Sequence, residues 1–422
     1  MKILHTADWH LGHYLKGQEN DRSEEHEYFL GWLLEVIENY SIELLVIAGD
    51  IFDTANPPHW AEEQYYRFLA EVTRTQCKNV VIIAGNHDSP NKLNAPKELF
   101  KYMNIHVVGK VHYQRSGEVA LQHEIIPIYE QKNQPPSLVV CAVPFLKDAD
   151  IRKSVANESL SQTEGRVKEG ILNHYHQISE LITTYKNSQI PILATGHLFA
   201  AGMTSSESEK DIHIGNQGNI DANKLPQTFD YVALGHIHRP QKVANKNHIR
   251  YSGSPIPLSF SENTDRKIVL ILNLNEKGLT DVQEISVPLT RPLLRLKGSL
   301  QDIESQLLKI NFNQFKFAAW AEVKAVLKEY EPNLREKIHE IGNKFKIRDA
   351  NMVNILSIGV EYAHRNIDTD EQALMYQSIH EIKPIEVFEK KCKSENIDIY
   401  SEKYKDILEA FKGLLEEVEK TP

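Results

Sequence analysis

The feature that most constrains this chain is a set of five short polar motifs, each placed directly after a predicted β-strand. Because the carboxyl ends of strands in α/β sheets are where sites form, the motifs are expected to build one site at a sheet edge. The motifs are Asp8-Trp9-His10, Gly49-Asp50-Ile51-Phe52-Asp53, Gly85-Asn86-His87-Asp88, Gly196-His197 and Gly235-His236-Ile237-His238.

The first half of the chain alternates short apolar runs with amphipathic stretches, an order that predicts a layered α/β core. Near residue 290 the pattern changes to a small strand–helix–strand–helix–strand unit. The last stretch is charged and helical, with an apolar stripe from Tyr404 to Val418 at helical spacing. The predicted domains are therefore residues 1–290, 291–378 and 379–422.

Composition and charge narrow the class of protein further. A length of 422 residues suggests two or three domains, and the net charge of −10 argues against coating nucleic acid through bulk positive charge. Three widely separated cysteines indicate a reduced cytosolic compartment. The chain shows neither a signal peptide nor an apolar stretch long enough to span a membrane, so a cytoplasmic protein without membrane contact is expected.

The donor atoms in the motifs indicate the chemistry. Two carboxylates, one amide and four imidazoles suit Mn²⁺, Fe²⁺ or Zn²⁺ better than Ca²⁺, which prefers oxygen alone. Seven ligands are too many for one open site and suit two divalent ions that share a carboxylate. The period of two along extended backbone predicts that Asp8 and His10 leave the same face, and likewise His236 and His238. Each motif alone could be an accidental match or a turn, but that reading does not extend to all five in this order.

The five motifs resemble those of a known protein family. The order Asp-x-His, Gly-Asp, Gly-Asn-His-Asp, Gly-His and Gly-His-x-His resembles the calcineurin-like metallophosphoesterase superfamily, and residues 5–12, 48–53, 233–239 and 251–255 resemble its DNA double-strand-break-repair nucleases. The resemblance implies a four-layer β-sandwich flanked by helices, a small α/β capping domain after residue 290 and C-terminal helices. It also implies a metal-dependent phosphodiesterase that works as a DNA exonuclease and endonuclease.

The resemblance assigns roles residue by residue. One metal would be held by Asp8, His10, Asp50 and His238, and the other by Asp50, Asn86, His197 and His236, with Mn²⁺ the favoured ion. His87 would stabilise the transition state or protonate the leaving oxygen. Asp53 would orient His87 or another ligand, which is the favoured role, or cap the following loop.

The resemblance also implies partners. These are DNA ends, hairpins and single strands, a second copy of the chain, and a coiled-coil ATPase, since no Gly-x-x-x-x-Gly-Lys-Ser/Thr phosphate loop occurs here. The stripe from Tyr404 to Val418 is a candidate docking helix, with packing against its own chain as the alternative. Candidate phosphate contacts, or a solvated loop face, are His13, Lys16, Arg22 and Arg239. A dimer patch, or ordinary core, is formed by Tyr65, Phe68, Leu69, Leu99, Phe100 and Met103.

Two other functions compete with the nuclease interpretation. The first is a small-molecule phosphodiesterase or protein phosphatase on the same fold, because a fold does not fix a substrate. The second is a non-catalytic scaffold that binds DNA ends. The appended unit and C-terminal helices argue against the first, and the complete ligand set with His87 argues against the second.

Overall fold

The computed structural model describes residues 1–131, 134–151, 159–209, 219–347 and 350–362, together with Cys392 and Phe411. Met1–Val326 and Glu331–Glu361 form one compact unit, and a second unit comprises Leu327–Tyr330 and Tyr362–Pro422. Apart from Phe411, the predicted docking stripe lies outside the described residues, and so does most of the predicted segment 379–422. The domain boundaries at 290 and 378 stay predictions.

The first sheet has six strands, four of them parallel. In spatial order these are β12 (Gly278–Ser286), β11 (Ile268–Asn275), β1 (Lys2–Thr6), β2 (Leu44–Ala48), β3 (Asn79–Ile83) and β4 (Ile105–Val108). Strands β1 to β4 run parallel, while β11 pairs antiparallel with both β1 and β12. Every residue of β2 is buried, as expected for a parallel strand covered on both faces.

The second sheet also has six strands, and parallel pairing again forms its centre. In spatial order these are β5 (Ile125–Ile128), β6 (Leu138–Cys141), β7 (Ile192–His197), β8 (Tyr231–Gly235), β10 (Ile249–Tyr251) and β9 (Gln241–Lys242). Strands β6, β7, β8 and β10 are parallel, and the two outer strands are antiparallel to their neighbours. The carboxyl ends of β7 and β8 therefore lie side by side.

Helices cover the outer faces of both sheets. They are α1 (Ser23–Asn39), α2 (His59–Val72), α3 (Pro90–Asn94), α4 (Lys97–Lys101), α5 (Asp148–Ile151), α6 (Leu160–Leu181) and α7 (Thr183–Asn187). Phe29 of α1 packs in one core with Leu45 of the first sheet, and Ile171 of α6 packs in another with residues of the second sheet. A third core lies between the sheets and joins Val46 to Leu193. The predicted four-layer sandwich is confirmed.

The chain after residue 290 forms a smaller layer of its own. The strands β13 (Leu293–Gly298), β14 (Ala319–Leu327) and β17 (Val353–Tyr362) make a sheet in that order, accompanied by α8 (Leu300–Leu308), α9 (Leu334–Asn343) and the short pair β15 (Lys346–Ile347) and β16 (Ala350–Asn351). Ser299 begins α8 with a reciprocal capping box to Asp302. The predicted alternation of strands and helices is present.

A buried ionic cluster joins this smaller sheet to α1. Nε of Arg22 lies 2.6 Å from Oε1 of Glu25, and Nε of Arg291 lies 3.2 Å from the same oxygen. Both guanidinium groups also face the ring of Trp320 on β14, at 5.4 and 4.3 Å from its centroid. The two buried cations thus share the carboxylate of Glu25, and Arg291 also lies 3.1 Å from the exposed carboxylate of Glu24.

Among the described residues, no helix is both long and apolar enough to cross a membrane.

Candidate metal centre

The five motifs meet where the carboxyl ends of the two sheets face each other. Strands β1, β2 and β3 end at Thr6, Ala48 and Ile83, and β7 and β8 end within the fourth and fifth motifs. Backbone hydrogen bonds tie the first two motifs together, from the N–H of Asp8 to Gly49 and from the N–H of His10 to Asp50, both 3.0 Å. The strands predicted from the sequence therefore bring distant residues to one place.

Asp50 lies at the centre of this cluster. Its Oδ2 is 3.5 Å from Nε2 of His10 and 3.2 Å from Nε2 of His197, so one carboxylate oxygen faces two imidazoles from different sheets. The other oxygen, Oδ1, accepts a hydrogen bond of 2.9 Å from the N–H of His87. This is the arrangement expected of a carboxylate shared by two ions.

The remaining predicted ligands group around Asp50. Donor atoms of Asp8, His10 and His238 lie within 4.8 Å of one another, and so do those of Asp8, Asp50 and His197. On the second side, Oδ1 of Asn86 is 2.9 Å from Nε2 of His197. The ring of His236 is centred 5.4 Å from that of His197. All seven predicted ligand residues are thus in one cluster.

Unpartnered buried atoms show that this cluster fits cations. Oδ2 of Asp8 and Nε2 of His10 are buried and have no hydrogen-bond partner within the described part of the chain. Burial, with Asp50 nearby, raises the pKa of Asp8 to about 7. Burial lowers the pKa of His197, but the Asp50 carboxylate outweighs it and raises that pKa to about 9. Buried donors of this kind normally coordinate metal ions or are paired.

Strained backbone marks the same residues. Asp8, His10, Asp50 and His236 have φ angles of 54°, 48°, 47° and 101°, a region that side chains with a Cβ rarely adopt. Each such residue costs about 1–3 kcal/mol, and such residues cluster at functional sites. The prediction that strand alternation aligns Asp8 with His10, and His236 with His238, is wrong: the strands end earlier, and turns with positive φ aim these side chains instead.

Two glycines make room for the centre. A Cβ on Gly85 would lie 2.1 Å from Oδ1 of Asp50, and one on Gly235 would lie 1.9 Å from the carbonyl oxygen of Ala48. Neither position tolerates a side chain without moving the site. The backbone of Gly85 thus lies against Asp50, and that of Gly235 lies against Ala48 and His197.

Asp53 touches several members of the site through different atoms. Its carboxylate Oδ1 lies 3.0 Å from Nδ1 of His10 and 3.0 Å from Nδ1 of His13. Its main-chain oxygen accepts a hydrogen bond of 2.6 Å from Nδ1 of His87. Burial raises the pKa of Asp53, but the hydrogen bonds from His10 and His13 outweigh burial and hold that pKa far below its usual value.

Asp88 supports the centre although sequence reasoning gave it no role. Its carboxylate accepts backbone hydrogen bonds from Gly85, Ile51 and Phe52, and so joins the loops after β2 and β3. Burial, with Asp50 nearby, raises the pKa of Asp88 to about 6. Its position in the Gly-Asn-His-Asp motif was the only signal in the sequence.

A second supporting group lies behind His238. Oγ of Ser208 is 2.6 Å from Nδ1 of His238, and Ser208 also bonds Glu262, which pairs with the buried Lys267. The polar composition of residues 202–218 predicts a long surface loop; Ser208 does lie in a loop but is half-buried against His238, and residues 210–218 lie outside the described part. No signal links Ser208 to His238, because 30 residues separate them.

The residues predicted as candidate phosphate contacts form ion pairs or hydrogen bonds with other residues of the chain. Arg22 is fully buried against Glu25, so the prediction that it contacts phosphate is wrong. His13 bonds Asp53 and the carbonyl oxygen of Leu258. The other two also have partners, with Lys16 3.4 Å from Glu322 and Arg239 2.8 Å from Asp265.

The candidate dimer residues divide between core and surface. The core between α1, α2 and the first sheet includes Tyr65, Phe68, Leu69 and Phe100, with Met103 packed against it. Leu99 is exposed. Core packing, the alternative that the sequence left open, therefore accounts for most of these residues.

The amino-acid sequence has recognisable relatives. Residues 1–240 match the family described as calcineurin-like phosphoesterase, and residues 289–396 match the type 5 capsule protein repressor C-terminal domain. The SbcD subunit of the SbcCD nuclease from Escherichia coli (strain K12) is 32% identical over 402 residues, which cover 94% of each chain. The chain belongs to the SbcD family of calcineurin-like phosphoesterases. The expectations of a metallophosphoesterase fold, a metal-dependent hydrolase and a nuclease subunit are confirmed.

Other SbcD proteins are also similar to this chain in sequence. The SbcD protein of Bacillus subtilis (strain 168) is 34% identical over 71% of this chain and 73% of its own length. The SbcD protein of Rhodobacter capsulatus is 34% identical over 70% of this chain and 71% of its own length. A solved dimetal phosphatase from Danio rerio superposes with a TM-score of 0.37 at 13% identity, covering 68% of this chain and 99% of the other. The assignment to the SbcD family stands on the sequence relatives.

Proposed function

We propose that this chain hydrolyses DNA phosphodiester bonds with two divalent ions, Mn²⁺ being the favoured metal, as the nuclease subunit of an SbcC-type ATPase complex. Its activities would be exonucleolytic on duplex ends, in the 3′–5′ direction, and endonucleolytic on hairpins and single strands. The observation that carries the proposal is the position of Asp50, whose Oδ2 faces His10 at 3.5 Å and His197 at 3.2 Å.

The ligand assignment follows the two sides of Asp50. Asp8, His10 and His238 would complete one ion site, and Asn86, His197 and His236 would complete the other. Divalent ions held by these residues would polarise a phosphodiester and lower the pKa of bound water. Mixed nitrogen and oxygen donors suit Mn²⁺ better than they suit Ca²⁺, which prefers oxygen ligands alone.

His87 would move the proton. A carbonyl oxygen only accepts hydrogen bonds, so the 2.6 Å contact to Asp53 keeps the proton of His87 on Nδ1. Nε2 is then the nitrogen that gains and releases a proton, and it would deliver one to the leaving oxygen. The N–H of His87 bonded to Asp50 fixes the distance between this imidazole and the ion sites.

Asp53 would act as a positioning residue. Its carboxylate accepts from Nδ1 of His10, which leaves Nε2 of His10 as the nitrogen toward the ions. Ser208, at 2.6 Å from Nδ1 of His238, would serve the same purpose on the other side of that ion site. Two of the imidazole ligands, His10 and His238, would thus each be held in one tautomer by a neighbour.

The partners follow from family membership and from sequence. The chain has no phosphate loop of its own, so an SbcC-type ATPase would supply ATP hydrolysis, docking on the stripe from Tyr404 to Val418. Two copies of this chain would meet in a heterotetramer in the bacterial cytoplasm, with exposed side chains such as Leu99 and Tyr102 available for that contact. A truncation before Asp398 that still binds the ATPase fully would count against the docking assignment.

The test compares substrate classes. End-labelled duplex, hairpin and single-stranded DNA would be incubated with the full chain and Mn²⁺ or Mg²⁺, beside a small phosphodiester and a phosphomonoester. We expect metal-dependent DNA cleavage that EDTA abolishes. Turnover of the small esters alone would assign a different substrate to this centre, and bound DNA without any turnover would favour a scaffold.

A further inference from the structure

A cleft of about 420 Å³ opens beside the metal centre, and none of the proposed metal ligands lines it. We call it the side cleft, and its principal lining residues are Gly85, Asn91, Lys110, Tyr113, Phe145 and Lys147. We propose that the side cleft binds the deoxynucleotide that adjoins the scissile phosphate. This inference rests on the proposed nuclease function and names a subsite within it.

The side cleft begins at the proposed ion sites. Gly85 lines it, and the backbone of Gly85 lies so close to Asp50 that a Cβ there would be 2.1 Å from Oδ1. Phe145 donates its N–H to the carbonyl oxygen of Ala84 at 2.9 Å, and its ring is centred 6.4 Å from that of His197. A phosphate held by the proposed ligands would therefore have its neighbouring nucleoside at the mouth of the side cleft.

The walls of the side cleft come from the edge of the sheets where ligands bind. Residues 85–91 follow β3, residues 109–113 follow β4, and Phe145 to Asp150 follow β6. All three segments leave the carboxyl ends of parallel strands, which is where α/β sheets place ligands. The N–H of Gly109 bonds Oδ1 of Asn94 at 3.2 Å, so the second segment is anchored to α3.

The chemistry of the lining suits a nucleotide. Lys110 and Lys147 are exposed and form no ion pair with any described residue, while Nζ of Lys110 lies 3.4 Å from Oδ1 of Asn91. The lining has one carboxylate, Asp150, and it already accepts from the hydroxyl of Tyr113 at 2.6 Å and from the N–H of Lys147 at 3.0 Å. Two ammonium groups thus remain for phosphate oxygens.

An aromatic surface completes the site. The hydroxyl contact with Asp150 holds the ring of Tyr113, which is half exposed, and His112 and Phe145 line the same space. Bases stack on such rings regardless of sequence, which a nuclease acting on many DNA ends requires. The volume also falls within the range of about 300–1,000 Å³ typical of small-molecule sites.

The test measures binding rather than turnover. Isothermal titration would give the Kd of deoxyadenosine 5′-monophosphate and of inorganic phosphate for the full chain in Mn²⁺. Because a stacked base strengthens binding, we expect the nucleotide to bind at least about fivefold more tightly than phosphate. The double variant Tyr113→Ala, Lys147→Ala should bring this ratio close to one, whereas Tyr113→Phe, which keeps the ring, should preserve it.

The matched control is Tyr129→Ala, Lys277→Ala, two exposed residues outside the side cleft, which should keep the wild-type ratio. Equal affinity of the wild type for both ligands, or a preference that survives in the Tyr113→Ala, Lys147→Ala variant, would overturn the subsite. Failure of the nuclease function is read separately, from the absence of DNA cleavage. The two proposals can thus fail independently.

Discussion

Nδ1 of His87 donates a hydrogen bond of 2.6 Å to the main-chain oxygen of Asp53, while the carboxylate of Asp53 faces His10 and His13. The contact to His87 therefore does not depend on the aspartate side chain. The sequence left open whether Asp53 orients His87, orients another ligand or caps a loop. In the structure, the main-chain oxygen of Asp53 contacts His87, whereas its carboxylate contacts His10 and His13. The two orienting roles therefore belong to different atoms of the same residue.

The first prediction concerns Asp53→Asn. The substitution keeps the main-chain oxygen for His87 but removes the charge that accepts from His10. Loss of such a partner of a metal-binding histidine typically costs about 10–100-fold in metal affinity. We expect a loss of that size for Mn²⁺, measured by isothermal titration, whereas His87→Ala should bind Mn²⁺ as the wild type does. Unchanged metal affinity in Asp53→Asn would refute the positioning role.

The second prediction compares two glycines. Gly85→Ala would place a methyl group 2.1 Å from Oδ1 of Asp50, so Asp50 must shift. We expect this variant to lose both Mn²⁺ binding and hydrolysis. The matched control is Gly31→Ala on the exposed face of α1, where no atom lies within 4 Å of the added Cβ. It should raise the free energy of unfolding by about 0.5–1 kcal/mol, since alanine favours helices. Wild-type metal binding by Gly85→Ala would contradict the geometry of the centre.

The third prediction concerns the cluster between α1 and the smaller sheet. Glu25→Ala leaves Arg22 and Arg291 buried without their shared carboxylate, and breaking a buried pair in this way costs about 3–5 kcal/mol. The control is Glu27→Ala, which breaks an exposed pair with Arg67 and should cost about 0–1 kcal/mol. Urea unfolding of both variants measures the difference. Equal stability of the two would show that the cluster contributes little.

The fourth prediction concerns the cysteines. Cys77 and Cys141 are buried free thiols, and burial raises both thiol pKa values, that of Cys77 to about 12. Only the thiolate reacts, so iodoacetamide at about pH 8 should leave both unmodified in the folded protein and label both after unfolding. Peptide mass mapping reads each site. Rapid labelling of Cys141 in the folded protein would show that β6 opens readily.

The sequence was sufficient to predict the layers and the side chains that converge on one cluster. Short apolar runs such as residues 44–48 predicted the strands of a layered α/β core, and the motifs after them predicted which side chains converge. This worked because parallel strands bring their carboxyl ends to one edge whatever lies between them. The orientation of Asp8 and His10 was not predictable in the same way, since positive φ angles at non-glycine residues break the strand period.

Contacts between distant segments also could not be predicted from the sequence. Ser208 meets His238, and Arg22 meets Trp320, only after the layers have packed. A polar residue in a predicted loop and a cation after a metal motif both looked solvent-facing. Nothing in local spacing shows that a long-range partner buries such a side chain.

The most direct test of the proposed function combines metal content with cleavage of end-labelled duplex DNA by the wild type and by His87→Ala. A dinuclear nuclease centre predicts two Mn²⁺ ions per chain in both proteins. It further predicts cleavage by the wild type and a rate lower by about 10²–10⁴-fold in the variant, the usual contribution of a general acid. Cleavage by His87→Ala at the wild-type rate, or no cleavage by a wild type that holds both ions, would contradict it.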